Sequence, residues 1–378
     1  MVDEQNARIV DEILTRAIRG ERISEGEALT LLRDGELLQL GQAANAIRNR
    51  LNDPKVVTYI VDRNINYTNI CIYKCKFCAF YRRPGDPEGY LLSREELREK
   101  IQETVDLGGT GVLLQGGVHP DLPLQYYTDL LSWMREEFPE VHRHAFSPPE
   151  ILYIARFTKM PLREVIAKLI DAGLQSIPGG GAEILVDRIR LETLSYPKAS
   201  TAGWLDVMRT AHELGLRTTA TMMFGQGESL EDRIEHLRRV RDLQDETRGF
   251  TAFIAWTFQN ANTEMQHIEE ASGFEYLRTQ TVARIYLDNI RSVQSSWVTQ
   301  GLKIGQLALK FGANDMGSIM IEENVVAAAG ARNRVTTEEM KRLIREAGYS
   351  PVQRLTLYQG YVDEVTHERV GREAGAIA

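Results

Sequence analysis

From Val56 onward the chain repeats a strand-then-helix rhythm, and that rhythm limits the possible folds more than any other feature. Short apolar runs at residues 56–61, 111–114, 144–146, 174–177, 217–223, 251–256 and 304–309 read as strands, with an eighth at 352–357. Between them lie amphipathic helices. One opens at Ser93 with Glu96 three residues on, a capping-box spacing, carries Leu97, Ile101 and Val105, and stops at Gly108-Gly109. A second runs from about Trp204 through Val207, Met208 and Ala211 to Leu214, with Gly215 as its stop. A third starts near Ser229 and sets Ile234, Leu237 and Val240 on one side. Alternation of this kind builds a parallel sheet, and this many strands fit a TIM-type (β/α) barrel, full or nearly full.

The barrel is expected over residues 55–378, with a C-terminal closing segment, after an N-terminal helical extension at 1–54 that ends at Pro54. In that extension Ile9, Ile13, Leu14, Ala17 and Ile18 fall on one helical face, and Leu38, Leu40, Ala43 and Ile47 mark another helix. The expected strand ends are rich in glycine and polar residues. They read Gln115-Gly116-Gly117, Ser147-Pro148-Pro149-Glu150, Pro178-Gly179-Gly180-Gly181-Ala182-Glu183, Gly225-Gln226-Gly227-Glu228, Phe258-Gln259-Asn260 and Ala313-Asn314-Asp315. Barrel active sites form at that rim.

A formal charge of -8 gives no general attraction to nucleic acid or anionic membrane. No apolar run approaches the roughly 20 residues that span a bilayer. The start, Met1-Val2-Asp3-Glu4-Gln5, lacks the basic-then-apolar pattern of a secretory signal, so the expected location is cytoplasmic.

The three cysteines form a C-x3-C-x2-C motif, Cys71, Cys75 and Cys78, on the loop after the first strand. A disulfide framework needs an even count spread along the chain. Structural zinc needs four ligands, and the nearest downstream histidine is His119. Three closely spaced thiolates hold three corners of an iron–sulfur cubane and leave the fourth iron open to an outside ligand. A substrate-free redox carrier would ordinarily supply a fourth cysteine.

With the aromatic Phe77 just before the third cysteine, the motif resembles the signature of the radical S-adenosylmethionine (SAM) superfamily. The resemblance is narrower than that and covers essentially the whole chain. Asn66-Tyr-Thr-Asn-Ile-Cys71, Leu114-Gln-Gly-Gly-Val-His119, Phe146-Ser-Pro-Pro-Glu150, Ser176-Ile-Pro-Gly-Gly-Gly-Ala-Glu183, Thr218-Thr-Ala-Thr-Met-Met223, Leu243-Gln-Asp-Glu-Thr247, Gly312-Ala-Asn-Asp315 and Ile321-Glu-Glu-Asn324 are similar to menaquinone-pathway enzymes. Ser147–Glu150 and Trp256-Thr257-Phe258-Gln259 look like the dehypoxanthine futalosine cyclase family. They look less like aminofutalosine synthase or the halves of the deazaflavin (FO) synthase system. That family usually has proline where this chain has Ala255 and Asn260.

The resemblance implies a 4Fe-4S cluster on Cys71, Cys75 and Cys78, with SAM on the open iron, Phe77 against its adenine and Gly116-Gly117 receiving its amino group. It implies cyclisation of dehypoxanthine futalosine: the 5′-deoxyadenosyl radical takes the ribose C4′ hydrogen and the resulting carbon radical closes onto the benzoate ring. Loss of an electron and a proton then restores aromaticity, and flavodoxin or ferredoxin is the expected electron donor. Glu183 is a ligand of the SAM amine or ribose, or else a cap of the next helix. Glu150 is a substrate contact or the base for the ring proton, or else a solvated loop carboxylate. His119 contacts substrate or moves a proton, or packs beside Pro120. Arg188 and Arg190 are candidates for a carboxylate partner. Asn314 and Asp315 resemble a late strand tip of the family, and Met222-Met223 reads as barrel core.

Overall fold

In the computed structural model, which describes residues 4–193 and 199–371, the rhythm becomes ten strands in one all-parallel sheet. The acidic start Met1-Val2-Asp3 and the last seven positions of the expected barrel segment lie outside the described residues. The strands are Val56–Ile60 (β1), Asp62–Ile65 (β2), Gly111–Leu114 (β3), His142–Ala145 (β4), Ser176–Ile177 (β5), Arg217–Phe224 (β6), Phe250–Thr257 (β7), Ser292–Gln294 (β8), Asp315–Ser318 (β9) and Ser350–Gln353 (β10). Their spatial order is β10-β1-β9-β8-β7-β6-β5-β4-β3-β2.

β1 and β2 are halves of one strand, separated only by Val61, so the two ends of that order meet and the sheet curls round into a (β/α) barrel. On one edge of this strand lie β9 and its continuation, where Ile319 donates to the Ile60 carbonyl at 3.0 Å. On the other edge β10 takes the first half, Val56 opposite Ser350, and β3 takes the second, Asp62 opposite Gly111.

The expected helix signals hold. Ser93 and Glu96 close a capping box on Arg94–Asp106, with Leu97 and Ile101 buried. Trp204, Val207, Met208 and Ala211 are buried on Thr201–Glu213, and Ile234, Leu237 and Val240 on Leu230–Thr247. N-terminal helices at Glu4–Arg19, Glu25–Asp34 and Leu37–Leu51 pack on the barrel's outer helices Leu230–Thr247 and Gly273–Tyr286. The buried stripe of the first is Val10, Ile13, Leu14 and Ala17, one step round from the expected face, which leaves Ile9 and Ile18 at its rim. Leu38 is likewise exposed, while Leu40, Ala43 and Ile47 are buried. Among the described residues no helix is long and apolar enough to cross a membrane.

The expected strand at 304–309 is instead the end of the helix Trp297–Ala308. A six-residue apolar run has no periodicity of its own to separate a strand from a buried helix turn. The strands in that region are β8 and β9. Gln294 and Ser318 line the interior and Asp315 is buried under it, so neither strand carries an apolar signature.

β10 leads the chain under the barrel. Arg354, just past it, donates Nε to Asp315 Oδ2 at 2.6 Å and Nη2 to Oδ1 at 3.1 Å, with the two side chains 7% and 0% exposed. Thr58, the Gly317 N–H and the Tyr358 hydroxyl also donate to Asp315. Asn314 accepts from Arg284 at 2.6 Å and from the Val293 N–H at 2.9 Å. Asn314-Asp315 is therefore not a strand tip: it opens β9, at the opposite end of the barrel from the rim. Arg354→Met should leave the Asp315 carboxylate buried and unpaired. Unfolding in urea should then show a loss of about 3–5 kcal/mol, partly recovered by adding Asp315→Asn; an unchanged midpoint would contradict this account of the floor.

Candidate active site

The cysteine loop follows β2, and its backbone is tied on several sides. Cys71 N donates to the Arg82 carbonyl at 2.8 Å, Ile72 N to the Val118 carbonyl at 3.0 Å, and Lys76 N to the Thr193 carbonyl at 3.0 Å. Asn69 binds the 88–90 segment through both ends of its amide. Held this way, Cys71, Cys75 and Cys78 all face one cavity of about 420 Å³ that runs from the loop down the barrel interior to Arg354 and Tyr358. Cys75 is buried and the other two are half-buried. The Val118 N–H donates to the Cys71 sulfur at 3.3 Å, which favours a thiolate there. Among the described residues no group of three or more Cys, His, Asp and Glu side chains is arranged to hold a single ion, and the donors at this rim are three thiols. That donor set fits a multi-iron cluster with one corner left open.

The second tip presses against the cysteine loop. A Cβ on Gly117 would stand 2.3 Å from the Ile70 carbonyl oxygen and 3.0 Å from Cys71 Cβ, so only glycine fits. Gly116 lies against the Tyr67 ring, where a built Cβ would stand at 2.7 Å. Beneath them Glu150 is 1% exposed and takes four donors: Tyr67 hydroxyl at 2.7 Å, Gly116 N–H at 3.2 Å, and the Ser147 N–H and hydroxyl at 2.7 and 2.5 Å. Burial raises its carboxyl above the usual range, and the Ser147 and Tyr67 bonds oppose that rise. The reading of Glu150 as a solvated loop carboxylate is overturned. As the acidic member of a Ser147 capping box it lies behind the wall, outside the cavity lining.

The third tip is clamped by β6, where Thr221 Oγ1 donates to the Gly179 carbonyl at 2.7 Å and Gly179 N donates to Thr219 Oγ1 at 3.0 Å. This turns Glu183 into the cavity with left-handed backbone, φ 38°, and its carboxylate 3.6 Å from Arg190. Arg190 is buried and donates to the carbonyls of Gly181, Ala182 and Ala199, while Arg188 is on the surface, paired to Asp232 at 2.6 Å. Neither arginine lines the cavity. His119 does not line it either; its Nδ1 accepts from the Asp121 N–H at 3.1 Å, and burial lowers its pKa. Phe77 lines the cavity and packs on Met223, Phe258 and Met265. Met222 is in the main core, whereas Met223 backs this aromatic wall.

The barrel interior carries polar residues that the apolar-run reading passed over: Asp62 and Asn64 on β2, His144 on β4, Gln294 on β8 and Ser318 on β9. The signal was their alternation, since Arg63 between Asp62 and Asn64 points out to Glu103 at 2.8 Å. His144 donates or accepts at Ser176 Oγ, 2.6 Å away, and burial drives its pKa down to about 3. Burial pushes the Asp62 carboxyl up to about 6, against a hydrogen bond from Ser318 and the charge of Arg354.

A parallel barrel whose first loop turns every cysteine of the chain toward the lumen belongs with the radical SAM enzymes. Residues 65–240 match the radical SAM superfamily, and the chain is a member of it, in a class of enzymes that uses a 4Fe-4S cluster and SAM. Its branch is given by the other end of the barrel, where residues 247–367 match the CofH/MqnC C-terminal region. The chain is 49% identical over 350 residues to the cyclic dehypoxanthine futalosine synthase of Halalkalibacterium halodurans, covering 93% of this chain and 94% of that one. It is 40% identical over 368 residues to the 5-amino-6-(D-ribitylamino)uracil–L-tyrosine 4-hydroxyphenyl transferase of Methanopyrus kandleri, covering 95% and 99%. The crystal structure of methylornithine synthase (PylB) shares the fold, with TM-score 0.69 at 21% identity over 90% of this chain and 97% of that one.

Gly117→Ala should displace Cys71, because the atom in its way is backbone and cannot swing aside. Reconstituted variant should hold less iron and sulfide than wild type, with a stability loss of about 1–3 kcal/mol. Gly26→Ala, whose Cβ meets nothing within 4 Å, serves as the control.

Proposed function

We propose that this enzyme converts dehypoxanthine futalosine to cyclic dehypoxanthine futalosine. The observation that carries the reading is the 49% identity to a cyclic dehypoxanthine futalosine synthase over 93% of the chain. A span of that length takes in the cysteine loop and the glycine tips. Cys71, Cys75 and Cys78 hold the cluster, Gly116-Gly117 accommodate the SAM amino group, Phe77 lies against the adenine, and Glu183 binds the SAM amine or ribose. When bound, cluster and SAM together supply a 5′-deoxyadenosyl radical.

The chain's own work is to hold the ribose C4′ near that radical and to keep water and other hydrogen donors out. Glu150 acts as a positioning residue: its four donors fix Gly116 and Tyr67 behind the SAM site. His119 shapes the turn at Asp121. Flavodoxin or ferredoxin supplies the electron, and exposed Lys74, Lys76 and Arg83 lie close in sequence to the thiols on a chain of net charge -8.

Replacing Cys71, Cys75 or Cys78 by Ala should abolish SAM cleavage and strip most cluster iron while the barrel still folds. Wild-type turnover in any one variant refutes the ligand assignment. Substrate deuterated at the ribose C4′ should give cyclic product and 5′-deoxyadenosine carrying the deuterium, both read by mass spectrometry after an anaerobic single turnover. An adenosyl-linked product would instead place the enzyme with the synthases that add the radical to a double bond.

A further inference from the structure

Closing a carbon radical onto an aromatic ring leaves the attacked ring carbon with one hydrogen too many, so the proposed cyclisation needs a proton acceptor inside the cavity. The titratable groups of the wall are few. Cys71, Cys75 and Cys78 face the cavity at the rim, with Tyr73 packed beside Cys75, and Glu183 stands beside Arg190 at the same end. Arg354 and Tyr358 are tied to Asp315 at the floor, and burial holds the tyrosine hydroxyl protonated. Tyr81 is likewise held protonated. His144, with its pKa near 3, has too little affinity for a proton. Glu323 already accepts from the Val325 and Val326 N–H groups and from the Asn64 amide. Glu150, the carboxylate first weighed for this task, spends both oxygens on four donors and is behind the wall.

Asp62 differs from all of these. It faces the cavity from β2, partway between the thiols and the floor, and its carboxylate accepts a hydrogen bond from Ser318 Oγ. Two opposed charges act on it from neighbouring elements, Arg354 after β10 and Asp315 on β9; Arg63, Lys100 and Glu103 form ion pairs on the other face of the strand. We propose that Asp62 is the base that removes the ring proton, an assignment that rests on the cyclase reading above. The ring C–H bond breaks, an O–H bond forms on the carboxylate, and the C–H electron pair returns to the ring. The one surplus electron leaves to a one-electron acceptor of the iron–sulfur class, oxidised by one electron when the radical was made. A carboxyl with pKa about 6 is ionised at neutral pH yet basic enough to take a proton.

The test uses reconstituted holoenzyme and the C4′-deuterated substrate in single turnovers across about pH 5 to pH 8, a range that brackets this carboxyl. Asp62→Asn should still pass deuterium to 5′-deoxyadenosine within about threefold of wild type, while cyclic product falls about 10²- to 10⁴-fold. In wild type, cyclisation should drop as pH falls through about 6, where the carboxylate is protonated, and deuterium transfer should not. Cyclisation by Asp62→Asn at the wild-type rate overturns the assignment. So does a wild-type cyclisation rate that is flat with pH, whatever the variant does, including a variant that loses both steps. Failure of the cyclase reading looks different: wild type itself then delivers no deuterium to 5′-deoxyadenosine.

Discussion

The strand from Val56 to Ile65 is hydrogen-bonded along both edges, and most of the molecule is arranged around it. Its first half is gripped by β9 and β10 and its second by β3. Because both edges are used, the sheet has no free edge there to pair with another chain. The same strand sends Asp62 and Asn64 inward and delivers the chain directly into the cysteine loop. Barrel closure, polar lumen and cluster loop are thus consequences of one run of ten residues. A slip of one residue would turn Arg63 into the lumen and Asp62 out of it.

Close approach of backbones does for the rim what that strand does for the barrel. Gly116 and Gly117 let the second tip come down on Tyr67, Ile70 and Cys71, and Gly179–Gly181 let the third come down on β6, Gln115 and Pro149. Glycine here supplies the absence of a side chain, and the loops define the cavity mouth by touching. The carboxylate of Glu150 anchors this contact from below, which explains why an acidic residue after two prolines is buried at all: four donors offset the cost of taking it out of water.

Much of this was legible in the sequence because it rests on local rules. The cysteine spacing, the capping box at Ser93, the helix start near Ser229 and the glycine tips each have a short-range cause, and the resemblance drew on the same segments. What escaped was decided at long range. Gln294 and Ser318 are polar because they line the lumen and Asp315 because it meets Arg354, so β8 and β9 lack an apolar run, while the run that imitates a strand at 304–309 belongs to a helix. The sequence leaves Glu150 open between a catalytic or substrate-binding group and a loop carboxylate, since none of its neighbours in sequence announces Tyr67 or Gly116. Asp62 gives no apolar signal because the apolar run stops at Val61, while the strand continues to Ile65.

The floor has a consequence for biosynthesis. Thr58 and Asp315 are 257 positions apart, and Arg354 enters later still. A chain emerging from the ribosome builds the cysteine loop long before the segment that seals the underside of the barrel. Contacts of such high sequence separation form late in folding. Until that segment arrives, the thiols belong to a barrel whose underside is still open.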